Sequence, residues 1–130
     1  MKNIITKLVA NITTKLCVIF TLSLATLSAS AENVILINPF QVPENRLEES
    51  IQFWELARDF LSSQPGYVST KLHSSIKDDA EYQLINVAEW SSMSDFKEAT
   101  LNMRAHFKKN RIRHPDGLEG APALYNIIRN

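Results

Sequence analysis

From position 33 onward, apolar residues recur with two spacings, every second position in some segments and every third or fourth in others. The β-branched run at residues 33–38 is closed by Pro39 and predicts a first strand. A helix is predicted from Pro43 to the turn at Pro65 and Gly66, because apolar residues recur every three or four positions between them. Its apolar face comprises Leu47, Ile51, Trp54, Ala57 or Arg58, and Leu61.

Two further strands are predicted in the middle of the chain, joined by a polar connection at residues 74–80. Residues 67–73 alternate in strand fashion, and residues 81–90 form a longer strand. Successive side chains of a strand point to opposite faces, so every second residue of the longer strand shares one face. That face carries Tyr82, Leu84, Asn86, Ala88 and Trp90.

The last third of the chain predicts a second helix and a final strand. Ser92 and Asp95 have the spacing of a capping box, from which a helix is expected to run to about Lys109. A polar loop with glycine and proline follows at residues 111–122, and residues 123–129 form the final strand. The inner ridge of the helix comprises Phe96, Ala99, Met103 and either His106 or Phe107.

This order of elements, β-α-β-β-α-β, predicts an α+β domain with a ferredoxin-like fold. In that fold a four-stranded antiparallel sheet carries two helices on one face. Two helices cannot cover both faces of the sheet, so the other face is expected either to meet solvent or to pack on a second subunit. The length of 130 residues suits one domain rather than two.

The first 31 residues differ in composition from the rest of the chain. They contain no Asp or Glu, and their only charges are lysines. An apolar run at residues 16–27 leads into small residues that end at Ala31, which is typical of a secretory signal peptide. The run of about 12 residues is shorter than the roughly 20 that span a bilayer, so a retained membrane anchor is the less favoured alternative. We therefore predict that residues 1–31 are cleaved off. Residues 32–130 would then be a periplasmic or secreted domain without membrane attachment.

The composition of residues 32–130 excludes several kinds of site. The one cysteine, Cys17, falls in the predicted signal peptide, so the mature domain has no cysteine nucleophile, disulfide exchange or cysteine-ligated metal. Three of the 14 basic residues also fall there, which leaves 11 basic against 14 acidic residues and a formal charge of −3. That balance argues against a nucleic-acid partner held by a general basic field.

The histidines and the basic cluster allow narrower interpretations. His73, His106 and His114 lack ligand spacing such as His-x3-His, so no metal site is predicted. Basic residues gather at positions 108–114. They form either a solvated helix end whose cations suit the helix dipole, or a rim that attracts anionic phenolates to the mouth of a pocket.

Four segments of the chain resemble the antibiotic biosynthesis monooxygenase domain. They are residues 36–40, 64–74, 86–96 and 122–125, and the resemblance extends over nearly all of residues 33–129. The run Asn-x-Ala-x-Trp-x-Ser that begins at Asn86 is the more specific part. The resemblance implies a homodimeric α+β barrel in which two sheets pack face to face. It does not by itself define an activity, because this fold serves several functions.

Characterised members of the family that this chain resembles oxygenate polyphenolic aromatics with O2 and without metal or flavin. The resemblance therefore implies no cofactor, and it implies catalytic roles for Asn86, Trp90 and His73. The Asn86 amide and Trp90 indole N–H would be donors on one strand face, about 13 Å apart along it. His73 would accept a proton. The structural alternatives are that Trp90 fills the core, Asn86 bonds a neighbouring strand, and His73 only holds a strand end.

The predicted substrate-binding residues are Asn38, Tyr82, Phe96 and His106. Phe96 departs from the family, because some members have a tyrosine there whose hydroxyl handles a proton. Tyr82 could supply that hydroxyl instead. Asn38 matches an asparagine of the haem-degrading relatives, and His106 could match their proximal histidine. The second helix lacks their tryptophan, which disfavours haem degradation.

The sequence thus predicts an exported, cofactor-independent monooxygenase for a small aromatic or quinol-type compound. Two alternatives stay open. One is a non-catalytic periplasmic protein that binds aromatics or haem, and the other is a haem-degrading monooxygenase.

Overall fold

The structure is a computed structural model that describes residues 33–129. The predicted signal peptide at residues 1–31 lies outside the described residues. No helix in the described part of the chain has the length and apolar content needed to cross a membrane. The elements in chain order are β1 (Val34–Gln41), α1 (Leu47–Leu61), β2 (Tyr67–Ser74), β3 (Leu84–Trp90), α2 (Met93–Asn110), β4 (Glu119–Gly120) and β5 (Ala123–Tyr125).

The strands form one antiparallel sheet in which β3 and β1 are central. β3 lies between β2 and β1, and the short strands β4 and β5 both pair with the other edge of β1. The predicted ferredoxin-like class is confirmed, with its final strand divided in two. The prediction that this strand runs to position 129 is wrong. Because Tyr125 pairs with Ile35, the second residue of β1, almost no partner strand remains beyond it.

The prediction that the first strand closes at Pro39 is also wrong, since β1 continues to Gln41. Proline lacks a backbone N–H and so cannot donate to a neighbouring strand. Here the Pro39 carbonyl accepts from the Ala121 amide at 3.0 Å, on the side where the final strand is interrupted. The missing N–H faces the same side, because both backbone groups of an antiparallel residue point to one neighbour. The sheet therefore loses little pairing at Pro39.

Helix α1 begins later than predicted, and its inward ridge shares Trp54, Ala57 and Leu61 with the predicted face but has Ser50 and Phe53 in place of Leu47 and Ile51. Residues 43–46 form a turn in which the Arg46 amide donates to the Pro43 carbonyl, and the helix starts at Leu47. Leu47 is exposed, whereas Ser50 is buried and donates its hydroxyl to the Arg46 carbonyl. The inward ridge comprises Ser50, Phe53, Trp54, Ala57 and Leu61. Its small members leave space above the sheet.

Helix α2 starts at the predicted cap. The Ser92 hydroxyl accepts from the Asp95 amide at 3.0 Å and donates to the Asp95 carboxylate at 2.6 Å. Ala99 and Phe107 are its buried residues, so Phe107 rather than His106 completes the inner ridge. The turn before β2 approaches this cap closely at Gly66, whose φ of +79° favours glycine. A Cβ there would collide with the Asp95 side chain.

The core lies between the helices and one face of the sheet. Val34, Leu36, Ala88 and Trp90 are buried there and pack with Ala99 of α2. The predicted shared face of the third strand is confirmed for Leu84, Asn86, Ala88 and Trp90, which are all buried. Tyr82 is the exception, because β3 begins only at Leu84.

Candidate active site

A cavity of about 600 Å³ lies between the helix-facing side of the sheet and the two helices. Its walls are mainly apolar and aromatic, and its shape follows from the small residues of the α1 ridge. The apolar lining includes Leu36, Phe40, Phe53, Trp54, Leu61, Tyr67, Ala88, Phe96, Met103, Phe107 and Leu118. A cavity of this size and character suits a small, largely apolar ligand.

Two buried polar atoms on the sheet side of this cavity have no hydrogen-bond partner in the described part of the chain. They are Oδ1 of Asn38 and Nε1 of Trp90, and both residues line the cavity. A buried polar atom without a partner costs about 1–3 kcal/mol, so such atoms are rare unless a ligand or water satisfies them. The indole nitrogen can only donate a hydrogen bond. The cavity wall thus contains an unpaired donor and, at Asn38, an unpaired acceptor, and both atoms are covered by neighbouring protein atoms.

The indole of Trp90 is held in one orientation by its aromatic neighbours. The Tyr67 ring meets it edge-on at 5.6 Å, and the Phe96 ring does so at 5.7 Å. Trp90 is only 1% exposed. It therefore fills the core, as the structural alternative expects, and its side chain lines the cavity while its N–H has no partner among the described residues.

Asn86 has a neighbouring-strand partner. The Thr70 hydroxyl of β2 donates to Asn86 Oδ1 at 2.6 Å, which leaves the amide NH2 as the donor end of Asn86. Asn86 lies opposite Asn38 in the β1–β3 register and is 8% exposed. Thr70 lines the cavity, whereas Asn86 does not. The hydrogen bond fixes which way the Asn86 amide faces.

The charged residues that line the cavity are all basic. Arg58 of α1 and Arg104 and Lys108 of α2 contribute cations, and no Asp or Glu within residues 33–129 contributes to the lining. Arg58 is already paired, with Asp59 at 2.8 Å and Glu55 at 3.5 Å. The hydrogen bond with Asp59 raises the pKa of Arg58 above its ordinary value. The cavity is therefore apolar inside and positive at its mouth.

Comparison with known proteins identifies relatives that cover nearly the whole described domain. No family model matches the chain. It is 34% identical over 87 residues to tetracenomycin-F1 monooxygenase of Streptomyces glaucescens, a match that covers 65% of this chain and 75% of that protein. The chain belongs to the antibiotic biosynthesis monooxygenase family.

Solved structures of similar proteins agree with this antibiotic biosynthesis monooxygenase fold. A protein of Shewanella loihica PV-4, provisionally assigned as a monooxygenase, is 50% identical with a TM-score of 0.69, over 77% of this chain and 98% of that one. Two others, both 20% identical, show the fold alone. SnoaB, a cofactor-independent oxygenase of Streptomyces nogalater, has a TM-score of 0.60 over 77% of this chain and 97% of its own. The haem degrader MhuD of Mycobacterium tuberculosis has a TM-score of 0.55 over 75% of this chain and 97% of its own.

Three of the residues predicted for an antibiotic biosynthesis monooxygenase site come together in this cavity. Asn38, Trp90 and Phe96 all line it. The Phe96 ring packs edge-on with Trp90. It has no hydroxyl to offer to a ligand. Asn86 lies next to this group in the sheet. The strand alternation and the resemblance had placed Asn86 and Trp90 on one face, and they share it.

The structure separates the other three predicted residues from the cavity. His73 pairs with Ile85 on the opposite face of the sheet, where its Nδ1 lies 3.2 Å from the Ile85 carbonyl. Tyr82 lies beside His73 in a smaller surface depression. The hydrogen bond and charge of Glu81 raise the pKa of Tyr82, so the phenol stays protonated at neutral pH. His106 is exposed and stacks on Phe60 with ring centroids 4.7 Å apart.

His114 is one of several cavity-lining residues that the sequence did not predict for the site. It lines the cavity, and its ring meets Phe53 edge-on at 4.9 Å. Its Nδ1 lies 3.0 Å from the Pro115 carbonyl, which can only accept, so Nδ1 donates and Nε2 is left as the acceptor. The only sequence signal was membership of the basic cluster. No cluster of three or more metal-ligating side chains occurs within residues 33–129.

Proposed function

We propose that this protein is an exported, cofactor-independent monooxygenase that oxygenates a small aromatic or quinol-type compound in this cavity. The observation that carries the proposal is that two residues lining an apolar cavity, Trp90 and Asn38, each have a buried polar atom without a partner in the described part of the chain. Monooxygenase relatives support the reaction class. The aromatic lining supports the class of substrate.

The reaction needs no external reductant when the substrate supplies the electrons. A ring CH2 activated by neighbouring hydroxyls reacts with O2 to give a ring carbonyl and water, and a hydroquinone or catechol reacts with O2 to give a hydroxyquinone and water, so one oxygen atom enters the product in each case. The substrate first loses a proton and becomes an enolate or phenolate, which donates electrons to O2. The Trp90 N–H would stabilise the negative oxygen, and Asn38 Oδ1 would accept from a substrate hydroxyl. Apolar walls would exclude water from the anion.

His114 is the proposed proton acceptor, in place of His73. Histidine is the residue type that exchanges a proton near neutral pH, and His114 is the histidine that lines the cavity. Its Nε2 is the free acceptor once Nδ1 donates to the Pro115 carbonyl. A proton taken up there would leave a cation at a mouth that already favours anions.

We further propose that the protein works as a homodimer and that residues 1–31 direct its export. The sheet face away from the helices supports the dimer, because Ile85 and Tyr125 on it are exposed apolar residues. A second copy packed on this face would give the α+β barrel that the family resemblance implies. The basic start, short apolar run and Ala-x-Ala ending of residues 1–31 support export.

The proposed function is tested by O2 uptake with protein purified from cells that express the full chain. Metals are removed, and anthrones, hydroquinones and catechols are supplied in turn. We expect saturable uptake above autoxidation, and a loss of about tenfold or more in the variant Trp90→Phe. That change keeps most of the ring packing and removes only the N–H donor. The variant His73→Gln, on the other sheet face, serves as the matched control and should keep its activity.

Two results would contradict this proposal. Equal O2 uptake by the wild type and by Trp90→Phe would show that the Trp90 N–H takes no part in the reaction. No uptake with any compound, together with saturable binding of the same compounds, would favour the non-catalytic binder. Haem is examined separately by titration with hemin. A Soret shift that disappears in His106→Ala would favour the haem-degrading alternative, although His106 lies outside the cavity lining.

A further inference from the structure

We propose that Gly120 of β4 is a specificity-determining residue that sets the largest width of ligand the cavity admits. It would do so because its missing side chain leaves space beside the Asn38 amide and the Phe40 ring. This inference rests on the proposed use of the cavity as the substrate site. It goes further by assigning the size limit of that site to a residue that has no side chain to take part in the chemistry.

The cavity opens to solvent next to β4. Most of its lining residues are buried or half-buried, and the exposed ones all lie late in the chain. They are Arg104, Lys108, His114, Gly120 and Pro122. These residues belong to the second half of α2, to the loop after it and to the interrupted final strand. A ligand that enters from solvent therefore passes close to Gly120.

The backbone conformation at Gly120 does not require glycine. Gly66 and Gly117 have φ values of +79° and +78°, which L side chains rarely adopt, whereas Gly120 lies outside this left-handed region. Gly120 is part of a strand, where β-branched residues are ordinarily favoured. Glycine weakens a strand, and it often marks a position that a ligand or another backbone segment approaches closely. The surroundings of Gly120, and not its dihedral angles, therefore account for the glycine.

A side chain at position 120 would project toward the cavity. Gly120 pairs with Phe40, and directly opposed residues of an antiparallel pair project to the same face of the sheet. A Cβ at Gly120 would lie 3.0 Å from Asn38 Oδ1 and 3.2 Å from the nearest carbon of the Phe40 ring. Both distances are shorter than ordinary van der Waals contact, and both neighbours line the cavity. A single added carbon would thus already fill the space beside them.

The backbone on both sides of Gly120 is tied to β1. Glu119 pairs with Gln41, and the Ala121 amide donates to the Pro39 carbonyl at 3.0 Å. Movement of β4 away from the cavity would break this pairing. A side chain at position 120 would therefore be accommodated at the expense of the cavity and its opening.

The experiment measures the dissociation constants of two neutral fluorescent alcohols that differ in size, 1-naphthalenemethanol with two rings and 9-anthracenemethanol with three. The protein is purified from cells that express the full chain, and it is expected to bind both alcohols. Gly120→Val should weaken binding of the three-ring alcohol about tenfold more than binding of the two-ring alcohol. Gly120→Ala should do so about threefold, because it adds one carbon in place of three.

Glu119→Val is the matched control. Glu119 is the other residue of β4, its side chain projects to the opposite face of the sheet, and it does not line the cavity. This variant should bind both alcohols within about twofold of the wild type. In Gly120→Val/Phe40→Leu the smaller side chain at position 40 makes room, so binding of the three-ring alcohol should be largely restored. A merely structural defect would not be restored by a second substitution.

Circular dichroism checks that each variant folds, and Gly120→Ala decides the result if Gly120→Val does not fold. Equal losses for the two alcohols, or no loss, would overturn the inference, as would a wild type that binds neither. The same size-dependent loss in Glu119→Val would also overturn it. O2 uptake separates this inference from the proposed function. Size-dependent binding without uptake refutes the oxygenase and leaves the role of Gly120 standing, whereas uptake with unchanged binding in the Gly120 variants refutes only the size limit.

Discussion

The two faces of the sheet differ in how they are covered. The helix-facing side buries Leu36, Ala88 and Trp90, yet it also holds a cavity with unpaired polar atoms. The other side carries exposed Ile85 and Tyr125 and has no helix on it within the described residues. The first face is filled incompletely, which suits a small ligand. The second exposes apolar side chains such as Ile85 and Tyr125, which suits packing against a second copy of the chain.

This difference has an energetic counterpart. Packing on the helix-facing side is made within one subunit, so its contribution to stability does not depend on protein concentration. Packing of a second copy on the open side would depend on concentration by mass action. Substitutions on the two faces therefore distinguish a subunit core from an interface between copies.

The largest effect is expected from Trp90→Ala on the helix-facing side. This change removes a buried indole that contacts Tyr67 and Phe96, and it should lower the free energy of unfolding by about 3–5 kcal/mol. Urea denaturation at several protein concentrations measures it, and the loss should be the same at each. A loss that shrinks as the protein is concentrated would place Trp90 at an interface instead.

The next effect is expected from Ile85→Lys on the open side. A lysine there would oppose burial against a second copy and weaken dimerisation by about 100-fold or more. Analytical ultracentrifugation measures the dissociation constant, and circular dichroism checks that the fold is kept. Leu101→Lys is the matched control, because Leu101 is an exposed leucine of α2 away from the sheet. A wild-type protein that is monomeric at every concentration would contradict the proposed dimer.

The smallest effect is expected from Thr70→Val, which preserves side-chain shape and removes the hydroxyl that donates to Asn86. The Asn86 oxygen would then be buried without a partner, at a cost of about 1–2 kcal/mol in the free energy of unfolding. Thr70→Ser should keep most of the wild-type stability, because serine retains the hydroxyl. If Asn86 also orients the substrate, O2 uptake should fall in Thr70→Val and recover in Thr70→Ser. Equal stability of all three proteins would mean that the hydrogen bond contributes nothing.

Local patterns were sufficient to predict the fold class and the family. The alternation along β3 predicted that Leu84, Ala88 and Trp90 share one face, because the strand period of two is a property of the backbone, and the structure shows that face to be the buried one. The helix cap at Ser92 could be predicted from the two residues that form it, Ser92 and Asp95. Leu47 at the start of α1 shows the limit. Its spacing matched the apolar face, but the helix lies on the sheet along a ridge that begins at Ser50.

The site was predicted only in part, because motif matching identifies residues but not the register of the strands that carry them. His73 pairs with Ile85, and that pairing sends it to the face away from Asn86 and Trp90. The choice between His106 and Phe107 depended on the rotation of α2, which the contact between Phe53 and Phe107 reveals. His114 lies in a loop without periodicity, so no pattern could direct it to the cavity.

By itself, the sequence determined the order of the elements, the residues that share each face of β3 and the family, since each follows from neighbouring residues or short motifs. Only the tertiary structure decided the existence of the cavity and the residues around it. The reason is that a cavity forms where the side chains of the sheet and those of the helices do not fill the space between them, and no local sequence pattern describes that fit. Small residues such as Ser50 and Ala57 line that space, and so do Trp90 and Asn38, each with one buried polar atom that has no partner within residues 33–129.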